Sequence, residues 1–473
     1  MSLALVWLRR DLRLHDNPAL LAACEQHAVV PVYLDCPSEE GDWPPGAASR
    51  WWLHHSLTAL ADTLQARGSR LIIRRGDDSL ALLQELVDET GATTVHWNRL
   101  YEPAIRARDR AIKASLRDQG LEVHSHNAAL LREPWMVKTQ TGTPYRAFTP
   151  FWRAARKGAF AEPRPAPGAL AGVAEWPPGL TPDDLDLLPK IRWDRGIAAS
   201  WTPGEAGAWQ QLQTFLESRL KGYDARRDLP AIDGTSRLSP HLHFGEIGPR
   251  QIASALQGLP HGDDRDSFLS EIGWREFSHH LLFQNPEMPD LPLDRRFEQF
   301  PWSGDQDAAL YAWQRGETGI PIVDAGMRQL WETGWMHNRV RMIVGSLLTK
   351  NLRVPWQRGE TWFWDTLVDA DLASNSMGWQ WIQGSGADAA PYFRIFNPVR
   401  QGERFDPEGE YVRHWIPELQ RLPTRHIHAP WQATGEELRQ AGIRLGRDYP
   451  QPIVDLADSR KQALDAYAAI RTA

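Results

Sequence analysis

Cysteine is nearly absent. The 473 residues contain two, Cys24 and Cys36, with no CxxC pair and no zinc-type Cys/His spacing. A disulfide framework is excluded, a metal site is not expected, and a reducing compartment fits best. No charged segment followed by a long apolar one opens the chain, and no run reaches the roughly 18 apolar residues of a membrane span. A soluble, cytoplasmic protein with no membrane partner is expected. An excess of positive charge is missing too. There are 53 Lys and Arg against 60 Asp and Glu, a formal net of -7, so the global balance does not argue for a nucleic-acid partner. Neither GxGxxG after the first strand nor GxxxxGK[ST] occurs, so any nucleotide must be held without those loops. No internal repeat is visible, which argues against a solenoid.

Tryptophan, by contrast, is abundant, with 23 copies. Indoles serve packing first, and they also permit base stacking, cofactor stacking or electron hopping. Apolar content of 42% and charged content of 24% are those of a globular protein. The length exceeds one ordinary core, so two or three domains are expected.

Apolar runs at 3–8, 28–35, 70–77, 93–98 and 121–126 read as strands. Helical patterns follow Asn17–Pro18, at 49–68 (closing at Gly68), 79–90 and 103–120. This alternation predicts a doubly wound parallel sheet over residues 1–130. Residues 131–208 read as a connector lying over the surface, rich in Pro, Gly and Ala from about 158. Residues 209–473 read as an all-helical domain, with periodic segments near 209–221, 240–256, 266–284, 306–315, 321–333, 336–351 and 360–368.

Four stretches could carry chemistry. In "GTSRLSPHL" (234–242), Ser239 reads as a hydroxyl cap before Pro240. The stretch is compatible with a plain capped helix or with an anion site. In "EIGWREF" (271–277), Glu271, Trp274 and Arg275 share one helical face. That spacing suits an i,i+4 ion pair beside a core indole, or a surface that stacks on a base and reads its edge. In "GWMHNRVRM" (334–342), Asn338, Arg341 and Met342 share a face. Between 328 and 358 six Lys and Arg oppose Glu332 alone, which suits a solvated face or an anionic partner. In "VDADLASNSMGWQW" (368–381), Asp371 reads as an N-cap with Asn375 one turn on. The two aspartates leave acid/base work or metal binding open.

Taken in order, "WLRRDLRLHDNPAL", "GYDARRDLP", "GTSRLSPHLHFGEI", "WREF", "GIPIVDAGMRQLWETGWMHNRVRM", "DADLASNSMGWQW" and "DAAPYFRIFNP" resemble the photolyase/cryptochrome flavoprotein family. The likeness is to bacterial photolyases for cyclobutane pyrimidine dimers, of the class I type. It implies an α/β antenna domain and a helical domain holding FAD in a U-shape. Tyr223, Thr235, Ser236, Arg237, Leu238 and Ser239 would contact FAD, largely at its phosphates. Arg275, Trp335, Asn338 and Arg341 would line the same cavity, with Asp369 paired to Arg341. Asp371 would bond to the cofactor, and Asn375 would face the flavin nitrogen that changes protonation.

The resemblance also divides by function. Members acting on cyclobutane dimers resemble this chain at Asn338 and Met342, whereas (6-4) photoproduct enzymes carry a histidine pair there. Glu271 would bond to the dimer, with Trp274 and Trp381 as apolar walls. Arg227, Arg339 and Arg394 would contact DNA phosphates. Trp379, Trp356 and Trp302 match the family's electron relay. Ala104 and Ile105 stand where some members hold folate through an Asn–Glu pair. The second, antenna chromophore is therefore left open between methenyltetrahydrofolate, seated differently, a deazaflavin, and an empty site. The expectation is a monomer that repairs damaged DNA with light. A cryptochrome-type photoreceptor and a (6-4) photolyase are the alternatives.

Overall fold

A computed structural model describes residues 2–168, 170–303, 306–388 and 393–472. Part of the "DAAPYFRIFNP" motif, residues 389–392, lies outside the described residues. Five parallel strands form one sheet: β1 (Leu3–Leu8), β2 (Ala28–Asp35), β3 (Ile72–Arg75), β4 (Thr94–Asn98) and β5 (Glu122–His126). Their order is β3-β2-β1-β4-β5, with Leu5 opposite Val30 on one side and Val95 on the other.

All six residues of β1 are buried because helices cover both faces. Ala4, Val6 and Leu8 pack with Leu20, Trp51 and Trp52. Leu3, Leu5 and Trp7 pack with Leu83, Leu86 and Ile112. Local signals act as the sequence predicts. Asn17 Oδ1 accepts from Leu20 N at 3.2 Å, and Pro18 opens the first helix. The second long helix, Ala47–Ala66, stops two residues before Gly68, whose φ is 74°.

The connector differs from expectation. Leu170, Leu185, Ile197 and Trp201 are buried with Trp51, Trp52 and Phe244. Phe151 and Trp152, from helix Phe148–Ala155, are buried with Phe268 and Phe277. Proline and glycine disrupt regular structure there, but the apolar side chains between them are core residues of both neighbours.

The helical part departs from the periodic reading at two points that shape the site. The segment 240–256 is two helices, Ser239–His243 and Pro249–Gln257. Gly245 divides them at φ 65°, and a Cβ there would lie 2.2 Å from the Arg10 carbonyl oxygen. The second departure is Ser239, which is not a hydroxyl cap. Leu238 holds the cap position and makes no side-chain cap bond. Arg237 is left-handed (φ 53°), Leu238 is already helical, and its carbonyl accepts from Leu242 N. The turn thus starts one residue earlier than the Ser-Pro signal suggests.

Candidate functional site

Nineteen of the residues singled out above line one cavity of about 490 Å³. Helix Asp263–Gln284 brings Glu271, Trp274 and Arg275. Helix Asn338–Ser346 brings Asn338, Arg341 and Met342. Helix Leu372–Gln383 brings Asn375, Trp379 and Trp381, with Asp369 and Asp371 just before it. Tyr223, Arg227, Thr235, Ser236, Arg237, Leu238, Ser239 and Trp335 complete the set. Trp302, Trp356, Arg339 and Arg394 lie outside the lining.

One end is built around Arg237. Its guanidinium carbon lies 4.4 Å from the Trp201 ring centroid and 5.3 Å from that of Trp335. Burial lowers its pKa, and its Nε has no hydrogen-bond partner. A half-buried guanidinium stacked on indoles, with a buried and unused Nε donor, suits an anionic ligand. The helix starting at Ser239 has five residues, so Arg237 carries this argument better than the helix terminus does.

At the centre, Arg341 Nη2 contacts Asp369 Oδ1 and Oδ2 at 3.1 and 2.9 Å. The expected Arg–Asp geometry is thus present. Asp371 caps its helix, accepting from Ser374 N at 2.8 Å, and its Oδ2 lies 3.3 Å from His279 Nε2. Burial pushes the Asp371 carboxyl up, but His279, His243 and Arg275 together hold it well below the usual range. Asn375 Nδ2 donates to the Glu360 carbonyl at 3.1 Å, which leaves Oδ1 as the amide's acceptor. The Glu360 side chain accepts from Ser376 Oγ at 2.6 Å, and burial raises its pKa well above the usual range.

At the other end, Arg227 Nη1 donates to Glu271 Oε1 at 2.5 Å. The i,i+4 pairing of Glu271 with Arg275 is not formed; Arg275 Nη1 donates to the Ala129 carbonyl instead. Trp274 stacks on Phe148 with centroids 3.7 Å apart. Met342 Sδ accepts from Arg339 Nη1 at 3.7 Å, and Arg339 pairs with Asp228 at 2.6 Å. Most cations of this stretch are engaged within the protein: Arg328 pairs with Glu418, Arg358 with Asp307, and Lys350 is buried. Asn338 opens its helix, and its amide has no side-chain partner among the described residues.

Trp379 is buried against Phe363, with centroids 5.0 Å apart, and its Nε1 is unpartnered. Trp356 is buried in the same core, and Trp302 packs on Phe300 at 4.7 Å. Sequence reasoning missed Trp313, 6.2 Å from Trp379, together with His243, His279 and Glu360. A second cavity, of about 380 Å³, lies against the α/β domain and includes Ile105, noted above at the antenna position. Arg10, Tyr33, Glu40, Ile105 and Arg108 line it, and His243 and Ala370 line both cavities. Among the described residues no cluster of three His, Cys, Asp or Glu could hold a metal, and no helix is long and apolar enough to cross a membrane.

Comparison with known proteins bears on this geometry. A family model described as the FAD binding domain of DNA photolyase matches residues 268–469, and one described as DNA photolyase matches residues 4–168. The chain is 50% identical to a deoxyribodipyrimidine photo-lyase of Agrobacterium fabrum, covering 99% of this chain and 98% of that one. It is 40% identical to Cryptochrome-2 of Arabidopsis thaliana, covering 99% of this chain and 79% of that one. A crystal structure of a class III photolyase from Agrobacterium tumefaciens superposes with TM-score 0.97 at 48% identity, over 100% of this chain and 98% of that one. An archaeal photolyase from Sulfolobus tokodaii, solved with two FAD molecules, gives 0.83 at 29% identity, over 99% and 100%. The half-buried, partly unpaired Arg237, the anionic Asp371 and the Asn375 acceptor are donors and acceptors that suit FAD. The chain belongs to the DNA photolyase family and carries that family's FAD-binding domain.

Proposed function

We propose that this protein repairs cyclobutane pyrimidine dimers in DNA with light. The observation that carries the reading is that Asn338 and Met342, which share a helical face, line the same cavity as Glu271, Trp274 and Trp381. The resemblance associates a histidine pair at those two positions with (6-4) photoproducts, whose repair needs an acid. An amide and a thioether supply no proton, and a cyclobutane dimer needs only an electron.

FAD held by these residues would supply light-driven electron transfer to the lesion with no net redox change. The protein's residues do the rest. Arg237 neutralises cofactor phosphates. Arg341–Asp369, Asp371 and Asn375 orient the ring system. Glu271 hydrogen-bonds the dimer, and Trp274 and Trp381 exclude water around a flipped-out lesion. Arg227, Arg339 and Arg394 contact DNA phosphates, which position the strand without reading its sequence. Trp379, Trp356 and Trp302 deliver electrons that keep the cofactor reduced. The second cavity takes an antenna chromophore, a deazaflavin or a folate seated differently from the Asn–Glu mode. Residues 1–130, 131–208 and 209–473 serve as antenna domain, connector and catalytic domain of a cytoplasmic monomer.

The 40% identity to a cryptochrome favours one second reading, a blue-light photoreceptor on the same scaffold. One experiment separates the two. Purified, photoreduced protein is mixed with a thymine-dimer oligonucleotide and illuminated with blue light, with a dark control and a (6-4) substrate in parallel. Light-dependent recovery of thymine absorbance for the cyclobutane dimer alone is expected. No recovery with the flavin fully reduced moves the protein to the photoreceptor reading.

A further inference from the structure

The last helix, Leu456–Thr472, follows every residue assigned so far. Its Tyr467 ring stacks on Phe393, with centroids 4.3 Å apart and planes 3° apart. Lys350 Nζ lies 3.3 Å from the centroid of the same Phe393 ring. Two groups at those distances cannot share one face, so Phe393 is held between them. Phe297 and Phe300 close its edge, at 6.3 and 6.1 Å.

Gly384 makes room for this arrangement. Its φ is 103°, and a Cβ there would lie 3.2 Å from Phe393 Cδ2 and 3.4 Å from Lys350 Nζ. Lys350 Nζ also donates to the Gln383 carbonyl, at the end of the helix that bears Trp379 and Trp381. Burial drives the Lys350 pKa well below the ordinary lysine range. The clamp acts through ring stacking, the close approach of Lys350 Nζ and this hydrogen bond.

Phe393 immediately precedes Arg394, whose guanidinium carbon lies 5.9 Å from the Trp381 ring centroid. The chain after Arg394 is pinned separately. Phe396 N donates to Ser346 Oγ at 3.1 Å, and Asn397 Oδ1 accepts from Arg400 N at 3.1 Å. An exposed arginine is thus carried on backbone fixed on both sides, beside an indole of the cavity wall.

We propose that Phe393, clamped between Lys350 and Tyr467, is a positioning residue that sets Arg394 over Trp381, which makes the C-terminal helix part of the DNA-recognition apparatus. The inference rests on the reading of Arg394 and Trp381 as DNA- and lesion-contacting groups. Its physical content is preorganisation: an arginine already held in its binding geometry loses less freedom when it meets a phosphate.

The test uses full-length, FAD-loaded protein and measures dark binding to a thymine-dimer oligonucleotide and to its undamaged counterpart. Tyr467→Ala is expected to weaken dimer binding by about three- to tenfold. FAD content and repair yield at saturating DNA stay at wild-type values, and Tyr467→Phe restores affinity because the stack does not need the hydroxyl. In an Arg394→Ala background, Tyr467→Ala has no further effect. Phe393→Leu is read the same way and serves where Tyr467→Ala does not fold. Unchanged affinity in Tyr467→Ala, or an undiminished effect in the Arg394→Ala background, overturns the inference alone. A wild-type protein that does not prefer the dimer overturns the functional reading and this inference with it.

Discussion

Arg227 and Glu271 share a hydrogen bond of 2.5 Å at the mouth of the cavity, although they lie 44 residues apart in sequence. The side chain of each is partly exposed, 21% and 30%, so the pair is reachable by a ligand. Burial works against the charge on Arg227, and Glu271 outweighs it, so the arginine's pKa is raised. Arg227 thereby fixes the position of the Glu271 carboxyl, which the proposed reading has accept from an incoming base. Glu271→Ala is expected to lower the repair yield while FAD stays bound. A hydrogen bond to a charged group is worth roughly 1.5–3 kcal/mol, so dimer affinity should fall by about tenfold or more. Repair yield by thymine absorbance and FAD content by visible absorbance check this together; an unchanged yield removes Glu271 from the mechanism.

Arg341 and Asp369 form the second consequential pair. Asp369 is almost fully buried, so replacing it with Asn leaves the guanidinium in the proposed cofactor cavity without its counter-charge. Breaking such a pair costs roughly 3 kcal/mol, the lower end of the usual range because Arg341 is part-exposed. Asp369→Asn should release FAD at a lower temperature than the wild type, as read by the rise of flavin fluorescence on heating. Equal release temperatures would mean the pair does not support the cofactor.

Of the three tryptophans proposed as an electron relay, Trp379 lines the cavity. Trp379→Phe should abolish photoreduction of oxidised FAD yet leave repair by chemically reduced protein near the wild-type yield. Trp356→Phe should slow photoreduction in the same assay. Normal photoreduction in Trp379→Phe would point to another entry route, and Trp313, 6.2 Å from Trp379, is the neighbour to replace next.

What the sequence made legible was local. The alternation of β1 through β5 with helices, the Asn17 and Asp371 caps and the shared face of Asn338, Arg341 and Met342 all follow from spacing within a few residues. The Arg227–Glu271, Arg339–Asp228 and Asn375–Glu360 contacts join segments whose separation carries no periodic signal. The i,i+4 rule offered Arg275 as the partner of Glu271, and tertiary packing chose Arg227 instead. The Ser239 cap failed because a left-handed Arg237 started the turn one residue early, a backbone choice that a Ser-Pro pair does not encode. Connector residues such as Trp201 looked superficial because proline and glycine flank them; their burial depends on the surfaces that meet there.

The last prediction concerns stability and pH. His96, His124 and His126 gather on one face of β4 and β5, with His27 beside them; His96 Nδ1 lies 3.2 Å from His126 Nε2. Burial, then the neighbouring imidazoles, lower the His96 pKa to about 3. Burial, then Arg99, His124 and Lys113, lower that of His126 to about 4. In the unfolded chain both titrate near 6.5. Between those limits the unfolded state binds more protons, so stability must fall as pH falls through about 6.5, and go on falling towards 4. Buried Asp324, raised to about 6, acts with the opposite sign, since its folded form takes up a proton first. A comparison with His96→Leu/His126→Leu cancels that contribution, because Asp324 is common to both proteins. Thermal unfolding from pH 7.5 to 5 should show the melting temperature of the wild type dropping more steeply than that of the double variant. Parallel curves would mean that the two imidazoles take up their protons in the folded protein as readily as in the unfolded chain.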